Sequence, residues 1–497
     1  MRTPHHAVSL LAFAVLALGG CMQAVSLASR TASSSRPNIV YILADDLGYG
    51  DLGAYGQRVT RTPVLDRLAR EGMVFTRHYA GSTVCAPSRA SLMTGKDTGH
   101  VSIRGNRELG SFLDEEERGQ PPLDADEPTL AEVLRSGGYA TAIVGKWGLG
   151  GPDSPGEPQR RGFDYAFGYL DHKQAHNYYP THLWENGKRF ALRNRFFIPH
   201  ATMAGTTTRA EDYKFYAGLD YAPDFLTAAA IRWLGERKQD QPFFLYLAYT
   251  TPHAALQVPD DELAAYEGLP DKPLNSGDYT PHPRPRAARA GMISRMDTDI
   301  GRVLAALDAN GQLGNTLVIF ASDNGPGREG GADLDFFAST GGLRGEKRDL
   351  YEGGIRVPMI AWWPGRITGE SRSNHVSAFW DVMPSLAELA RVKAPPGQGI
   401  SLVPTLLGGT QRQHEYLYWE FHEPRKAAQA VLMGNWKLIR HRGTDRAKSA
   451  DRLELFDLSS DPLERTNVAK AQPKVVARGL RLMDQRQPSP QREFNFN

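Results

Sequence analysis

The chain has 497 residues, with 58 Lys and Arg against 56 Asp and Glu, a net charge of +2. That balance leaves no basic field for a nucleic acid partner, and 41% hydrophobic with 23% charged residues excludes a largely disordered chain. Two cysteines in so long a chain exclude a disulfide framework, so Cys21 and Cys85 each need a separate explanation.

Arg2 opens a short basic region, and an apolar run from Ala7 to Leu18 follows. At about 1.5 Å per residue the run is too short to span a bilayer as a helix. With Gly19 and Gly20 ahead of Cys21, this is signal-peptide architecture. Leu18-Gly19-Gly20-Cys21 also resembles a bacterial lipobox, which implies that lipoprotein-processing machinery lipidates Cys21. Residues 1–21 are therefore expected to be a signal peptide with lipobox, and the Ser- and Ala-rich residues 22–36 a tether. The expected location is a bacterial membrane, at the outer membrane or the periplasmic face. The alternative is a plain signal peptide cut near Ala24 or Ala28, giving a soluble periplasmic or secreted protein.

From Asn38 onward, continuous apolar runs alternate with helical patterns. The runs are Ile39–Leu43, Thr141–Val144, Phe243–Tyr249 and Leu317–Ala321. Unbroken apolar runs predict strands covered on both faces. Ile293, Met296, Ile300, Val303, Leu304 and Leu307 recur at helical spacing, with Gly311 past the end. The fold class is α/β, a large central mostly parallel sheet flanked by helices, occupying residues 37–400. Residues of about 151–210, rich in Gly, Pro, His and aromatics, read as an insertion forming a pocket wall. Residues 401–497 read as a small C-terminal subdomain: strands near Glu415–Trp419, Ala430–Met433 and Trp436–Arg440, then a helix near Pro473–Gln485.

In open α/β sheets the ligand site lies at the carboxyl ends of the strands. The four runs are followed by Asp45-Asp46, Gly145-Lys146, Thr251-Pro252-His253 and Asp323-Asn324-Gly325. Three carboxylates, an amide, a Lys and a His are thus expected at one sheet edge. Cys85-Ala86-Pro87-Ser88-Arg89 opens a helix that Gly95 ends, which places Cys85 at a helix N-terminus where an anion is stabilised.

Cys-x-Pro-Ser-Arg followed by Leu-x-Thr-Gly resembles the signature of the type I sulfatases of the alkaline phosphatase superfamily. Asp45-Asp46 with Gly48–Asp51, Asp323-Asn324-Gly325, Lys347 with Tyr351–Pro358, and Leu455–Leu458 with Asp461, Pro462 and Glu464 are similar to four more blocks of that family, in the same order. The resemblance implies an alkaline phosphatase-like fold and an arylsulfatase-type hydrolase. It implies that a maturation enzyme converts Cys85 to Cα-formylglycine. Asp45, Asp46, Asp323 and Asn324 form an all-oxygen set suited to Ca²⁺ or Mg²⁺, and the modified Cys85 joins it. Lys146 and Lys347 would stabilise charge on the sulfuryl oxygens, Arg89 would orient the formylglycine, and His253 would protonate the leaving oxygen. The expected substrate is a sulfated saccharide.

One block departs from the family. Gly145-Lys146-Trp147-Gly148-Leu149-Gly150 has glycine where the family has a His that contacts the formylglycine. Glycine moves no proton, so either another base serves, or turnover is altered, or the chain is inactive. His172, His176 and His100 are the candidates, His176 first because Asn177–Pro180 looks like an ordered wall. These three and Arg104 are also candidate substrate contacts. Two other functions stay open: a phosphodiesterase or phosphonate hydrolase of the same superfamily, and a non-catalytic lipoprotein that binds sulfated glycans.

Overall fold

A computed structural model describes residues 36–200, 213–271, 279–280, 282–423, 426–442, 451–489 and 491–496. The signal peptide, Cys21 and all but the last residue of the tether lie outside the described residues. Among the described residues no helix is long and apolar enough to cross a membrane.

Four strands stand side by side at the centre. They are β1 (Asn38–Ala44), β3 (Ala140–Lys146), β7 (Phe243–Ala248) and β8 (Thr316–Ser322), in the order β8-β1-β7-β3 and all parallel. These are the four continuous apolar runs. Their side chains alternate between two cores: Ile39, Tyr41 and Leu43 enter one, Val40, Ile42 and Ala44 the other. Both faces being covered, the strand centres are apolar on each side and polar residues such as Asn38, Lys146, Thr316 and Ser322 fall at the ends, which is why no alternation is visible in the sequence.

Helices cover each face. On the first lie α2 (Cys85–Thr94), α3 (Leu130–Ser136) and α7 (Val382–Ala390). On the second lie α1 (Pro63–Glu71), α4 (Ala222–Gly235) and α5 (Pro285–Ala309), α5 burying its helical stripe from Ile293 to Leu307. On the β8 side the sheet continues through β9 (Arg356–Trp362), which is antiparallel to β8, to β2 (Met73–Tyr79), which also carries the short β10 (Ser371–Ser373) and β11 (Ser377–Ala378).

Residues 151–210 are only partly a wall. β4 (Tyr165–Tyr169) pairs parallel with β3, and the hairpin β5 (His182–Glu185) and β6 (Lys188–Ala191) extends the sheet edge. The β3–β4 pair closes tightly at its end. Gly145 faces Gly168 in register, with φ of +121° and +140°, and a β-carbon on Gly168 would lie 2.2 Å from the Gly145 carbonyl oxygen. Only glycine permits that approach.

The C-terminal residues form a four-stranded antiparallel sheet, β12 (Leu417–Glu423), β13 (Lys426–Met433), β14 (Trp436–His441) and β15 (Arg452–Asp457), with helix α8 (Pro473–Met483) on its outer face. Its inner face brings Trp419, Phe421, Ile439 and Phe456 against Tyr79, Val84 and Trp380 of the large domain. Lys437 crosses the same junction. Its buried ammonium lies 2.9 Å from Glu352, in α6 (Glu352–Ile355), and 3.0 Å from Glu464. Lys437→Met removes the cation shared by two buried carboxylates, leaving Glu352, among the described residues, only the longer ion pair with Arg356 at 3.5 Å. It is expected to cost about 3–5 kcal/mol, read as a lower urea midpoint; an unchanged midpoint contradicts this junction.

Candidate active site

Parallel pairing in register brings two acidic pairs together. Ala44 of β1 sits opposite Ser322 of β8, so Asp45-Asp46 and Asp323-Asn324 leave the sheet as neighbours. Asp323 N–H donates to the Ala44 carbonyl (3.0 Å), and Asp46 N–H donates to Asp323 Oδ1 (3.1 Å). Asp46 takes φ +61°, a left-handed turn at the end of β1.

The cations come from three other elements. Lys146, the last residue of β3, donates to Asp45 Oδ2 at 2.7 Å. Arg89, one turn into α2, grips Asp323 Oδ2 through Nε (3.0 Å) and Nη2 (2.9 Å), and donates to the Lys146 carbonyl at 2.7 Å. Lys347 donates to Asp46 Oδ2 at 2.8 Å. Three carboxylates therefore face three cations, all buried. Cys85 opens α2 with its Sγ 3.5 Å from Asp45 Oδ1. His253 Nε2 lies 3.0 Å from Lys347 Nζ and 3.5 Å from Asp46 Oδ2. Tyr178 OH fixes the His253 loop, donating to the carbonyls of Thr250 (2.6 Å) and His253 (2.8 Å).

The electrostatics follow from this packing. Burial works against Asp45, but Lys146, His253 and Arg89 hold its carboxyl well below the usual range. Burial and the Asp45 charge push Asp323 up to about 7. Burial, then Lys347, push His253 down to about 3, so its ring is neutral. Burial pushes the Cys85 thiol well above its ordinary value.

The residues fit a divalent cation. Donor atoms of Asp45, Asp46, Cys85 and His253 all lie within 4.8 Å of one another. Asn324 Oδ1 is buried without a partner, while its Nδ2 donates to Asp46 Oδ1 at 2.6 Å. Asp323, turned towards Arg89, is not in the closest set. Oxygen donors predominate, as a hard ion requires.

The structure thus brings Cys85, Arg89, Lys146, His253, Lys347, Asp45, Asp46, Asp323 and Asn324 together. Two expected substrate contacts are elsewhere. Arg104 is committed to the C-terminal sheet, donating to Glu420 (3.0 Å) and to the carbonyls of Val101 and Gln487 (each 2.9 Å). His100 pairs with Asp97 at 2.6 Å. His176 stacks face to face on His253, with ring centres 4.2 Å apart, and its Nδ1 is 2.7 Å from Nε2 of His200. His172, not His176, lies against Gly148. Glu329 was not legible in the sequence. Its carboxylate, bonded to Arg348 and 3.6 Å from Lys347, sits in a Gly-rich loop that gives no chemical signal.

Comparison with known proteins agrees with this geometry. Residues 37–392 match the family model "Sulfatase", and residues 344–485 match "N-sulphoglucosamine sulphohydrolase, C-terminal". The chain is 32% identical to arylsulfatase A of Bos taurus, covering 93% of this chain and 89% of that protein. It is 30% identical to N-acetylgalactosamine-6-O-sulfatase of Bacteroides thetaiotaomicron, covering 92% and 94%. The crystal structure of Ps i-CgsB superposes with a TM-score of 0.74 at 27% identity, covering 91% of this chain and 92% of that one; it has also been solved in complex with k-i-k-neocarrahexaose.

Chelation is expected to lower the melting temperature, and Ca²⁺ to restore it, by about 2.7 kcal/mol of stability at a hundredfold excess over Kd. Asp46→Ala should abolish the response. An unchanged melt, with no divalent cation in metal analysis, contradicts the site.

Proposed function

The chain belongs to the sulfatase family and is a sulfuric ester hydrolase, and on that premise we propose that it desulfates saccharides, using Cys85 as formylglycine beside a calcium ion. The observation that carries the reading is the place of Cys85, at the start of α2, 3.5 Å from Asp45 and within the field of Lys146 and Lys347. Sγ marks where the oxygens of the hydrated aldehyde would stand. A buried thiol whose ionisation is suppressed is a poor nucleophile; an aldehyde hydrate removes that obstacle. When present, the aldehyde supplies an oxygen nucleophile, and the cation polarises the sulfuryl group.

The chain's own residues do the rest. Asp45, Asp46 and Asn324 would hold the ion, with Asp323, gripped by Arg89, beside them. Three carboxylates against three cations leave a divalent ion's charge in excess, so the site attracts an anionic sulfate ester. Lys146 and Lys347 donate to the sulfuryl oxygens, and Arg89 fixes the turn that carries residue 85. The hydrogen-bonded pair of Lys347 and His253 supplies the proton for the leaving oxygen.

Saccharides are favoured by the wall beside His253, where the leaving alcohol must sit. His176 and Tyr279 flank that ring, and His200 and Phe112 continue the wall, with centres 4.1 to 5.9 Å apart. Such flat faces suit a sugar ring with polar edges. The Bacteroides relative, named for a sulfated amino sugar, and the oligosaccharide bound by Ps i-CgsB support the same class. A formylglycine-generating enzyme is the partner this requires.

The test is a panel of sulfated saccharides, aryl sulfate and aryl phosphate diester. Sulfate release from at least one saccharide, with Cys85→Ala inactive yet melting within a few degrees of wild type, is expected. Preference for the phosphate diester, or no turnover of any ester, contradicts the reading.

Export and lipid anchoring through Cys21 complete the proposal, supported by the Leu18–Cys21 motif and requiring lipoprotein-processing machinery. A single acyl chain binds membranes marginally, so stable anchoring implies more than one. Cys21→Ser should move the protein from the membrane to a soluble or unprocessed form in fractionation; equal fractionation of variant and wild type leaves only a plain signal peptide.

A further inference from the structure

Gly148 lies just beyond Lys146 at the end of β3, in the left-handed region with φ +72°. A β-carbon at this position would sit 1.6 Å from Nε2 of His172 and 2.1 Å from its Cδ2. The imidazole of His172, carried by the turn after β4, therefore fills the space over the backbone of residue 148. As placed, the two positions cannot both bear a side chain.

That turn is pinned. His172 N–H donates to Gln120 Oε1 at 3.2 Å. The carboxylate of Asp171 accepts from Gly119 N–H (2.8 Å) and Lys173 N–H (2.7 Å). The ring is 2% exposed, and its Nε2 has no hydrogen-bond partner among the described residues. An unpaired buried polar atom costs about 1–3 kcal/mol, so its retention beside a reactive cluster points to a bond made with a ligand. The groups acting on the ring all belong to the site. Burial first, then Lys146, Arg89 and His253, hold its pKa well below the ordinary value, with Asp45 opposing. The ring is neutral, so one nitrogen carries a free lone pair.

We propose that His172 is a catalytic residue of this hydrolase, bringing Nε2 from the loop after β4 to the oxygen borne by residue 85, through the opening that Gly148 leaves. The inference rests on the reading of Cys85 as formylglycine and deepens it. Nε2 takes the proton of the free hydroxyl on residue 85. The O–H bonding pair becomes the second carbon–oxygen bond of the aldehyde, and the pair of the bond to sulfate leaves with sulfate. A neutral imidazole and a singly charged sulfate ester become an imidazolium and a doubly charged sulfate, so atoms and charge balance. His176 does not share this role, because it is engaged by His200 and stacked on His253.

The experiment uses the full chain, with aldehyde at residue 85 verified by peptide mass, and an aryl sulfate as probe. His172→Ala should lower kcat about 10²–10⁴-fold with KM changed less than about threefold. Quenched enzyme should retain a sulfuryl group on residue 85, which wild type does not. Gly148→Ala, whose β-carbon displaces the ring, should give the same two signatures, and the double variant should be no slower than His172→Ala. Added imidazole should restore part of the rate in His172→Ala. A His172→Ala kcat within about threefold of wild type, a residue 85 free of sulfuryl in the slowed variant, or losses that multiply in the double variant would overturn the proposal. Turnover without aldehyde in wild type would instead overturn the reading of Cys85.

Discussion

Two parallel strands that end in register, each followed by acidic residues, force like charges together in a place water does not reach. Asp45, Asp46 and Asp323 arise in this way from β1 and β8. At an effective dielectric of 20, two charges 4 Å apart repel by about 4 kcal/mol, so this edge exists only with compensation. Arg89, Lys146 and Lys347 provide it from α2, β3 and the loop before β9. Their placement dictates the rest: α2 must start at this edge, which puts Cys85 there, and β3 must end at it. Burial, and then the Asp45 charge, still push Asp323 up to about 7, the mark of carboxylates crowded where water is excluded.

The small C-terminal sheet participates in the same balance. Arg348, beside Lys347, bonds Glu423 of β12 at 2.9 Å and also Glu329, whose carboxylate faces Lys347. A chain of alternating charges thus runs from the active site to the second sheet. Lys437, held between Glu352 and Glu464, ties the junction a second time. Arg89 and Lys146 stand on α2 and β3, and the loops carrying Lys347 and His253 are tied by buried hydrogen bonds, which keeps the donors aimed before substrate arrives.

Much of this was legible from residues. The central strands were readable because burial on both faces makes them uniformly apolar, and the acidic pairs because they follow those runs directly. Cys85 was readable because Pro87 and Gly95 bracket α2. β4 was hidden, since a run of five residues interrupted by Gly168 looks like a loop; its pairing depends on Gly145 across the strand. Arg104 looked available because sequence does not show that Glu420, far along the chain, claims it. The same limit applies to histidines. Gly148 announced that a side chain was missing, but only the tertiary approach of two loops showed which ring occupies the space.

The central claim is that an aldehyde at residue 85 makes this chain a sulfatase. Preparations with graded maturation, from all thiol to all aldehyde, allow a direct measurement. Aldehyde fraction is read by mass spectrometry and sulfate release from a sulfated saccharide by rate. The account predicts a rate proportional to the aldehyde fraction, vanishing for the pure thiol. A thiol preparation that releases sulfate as fast as the aldehyde form would contradict it.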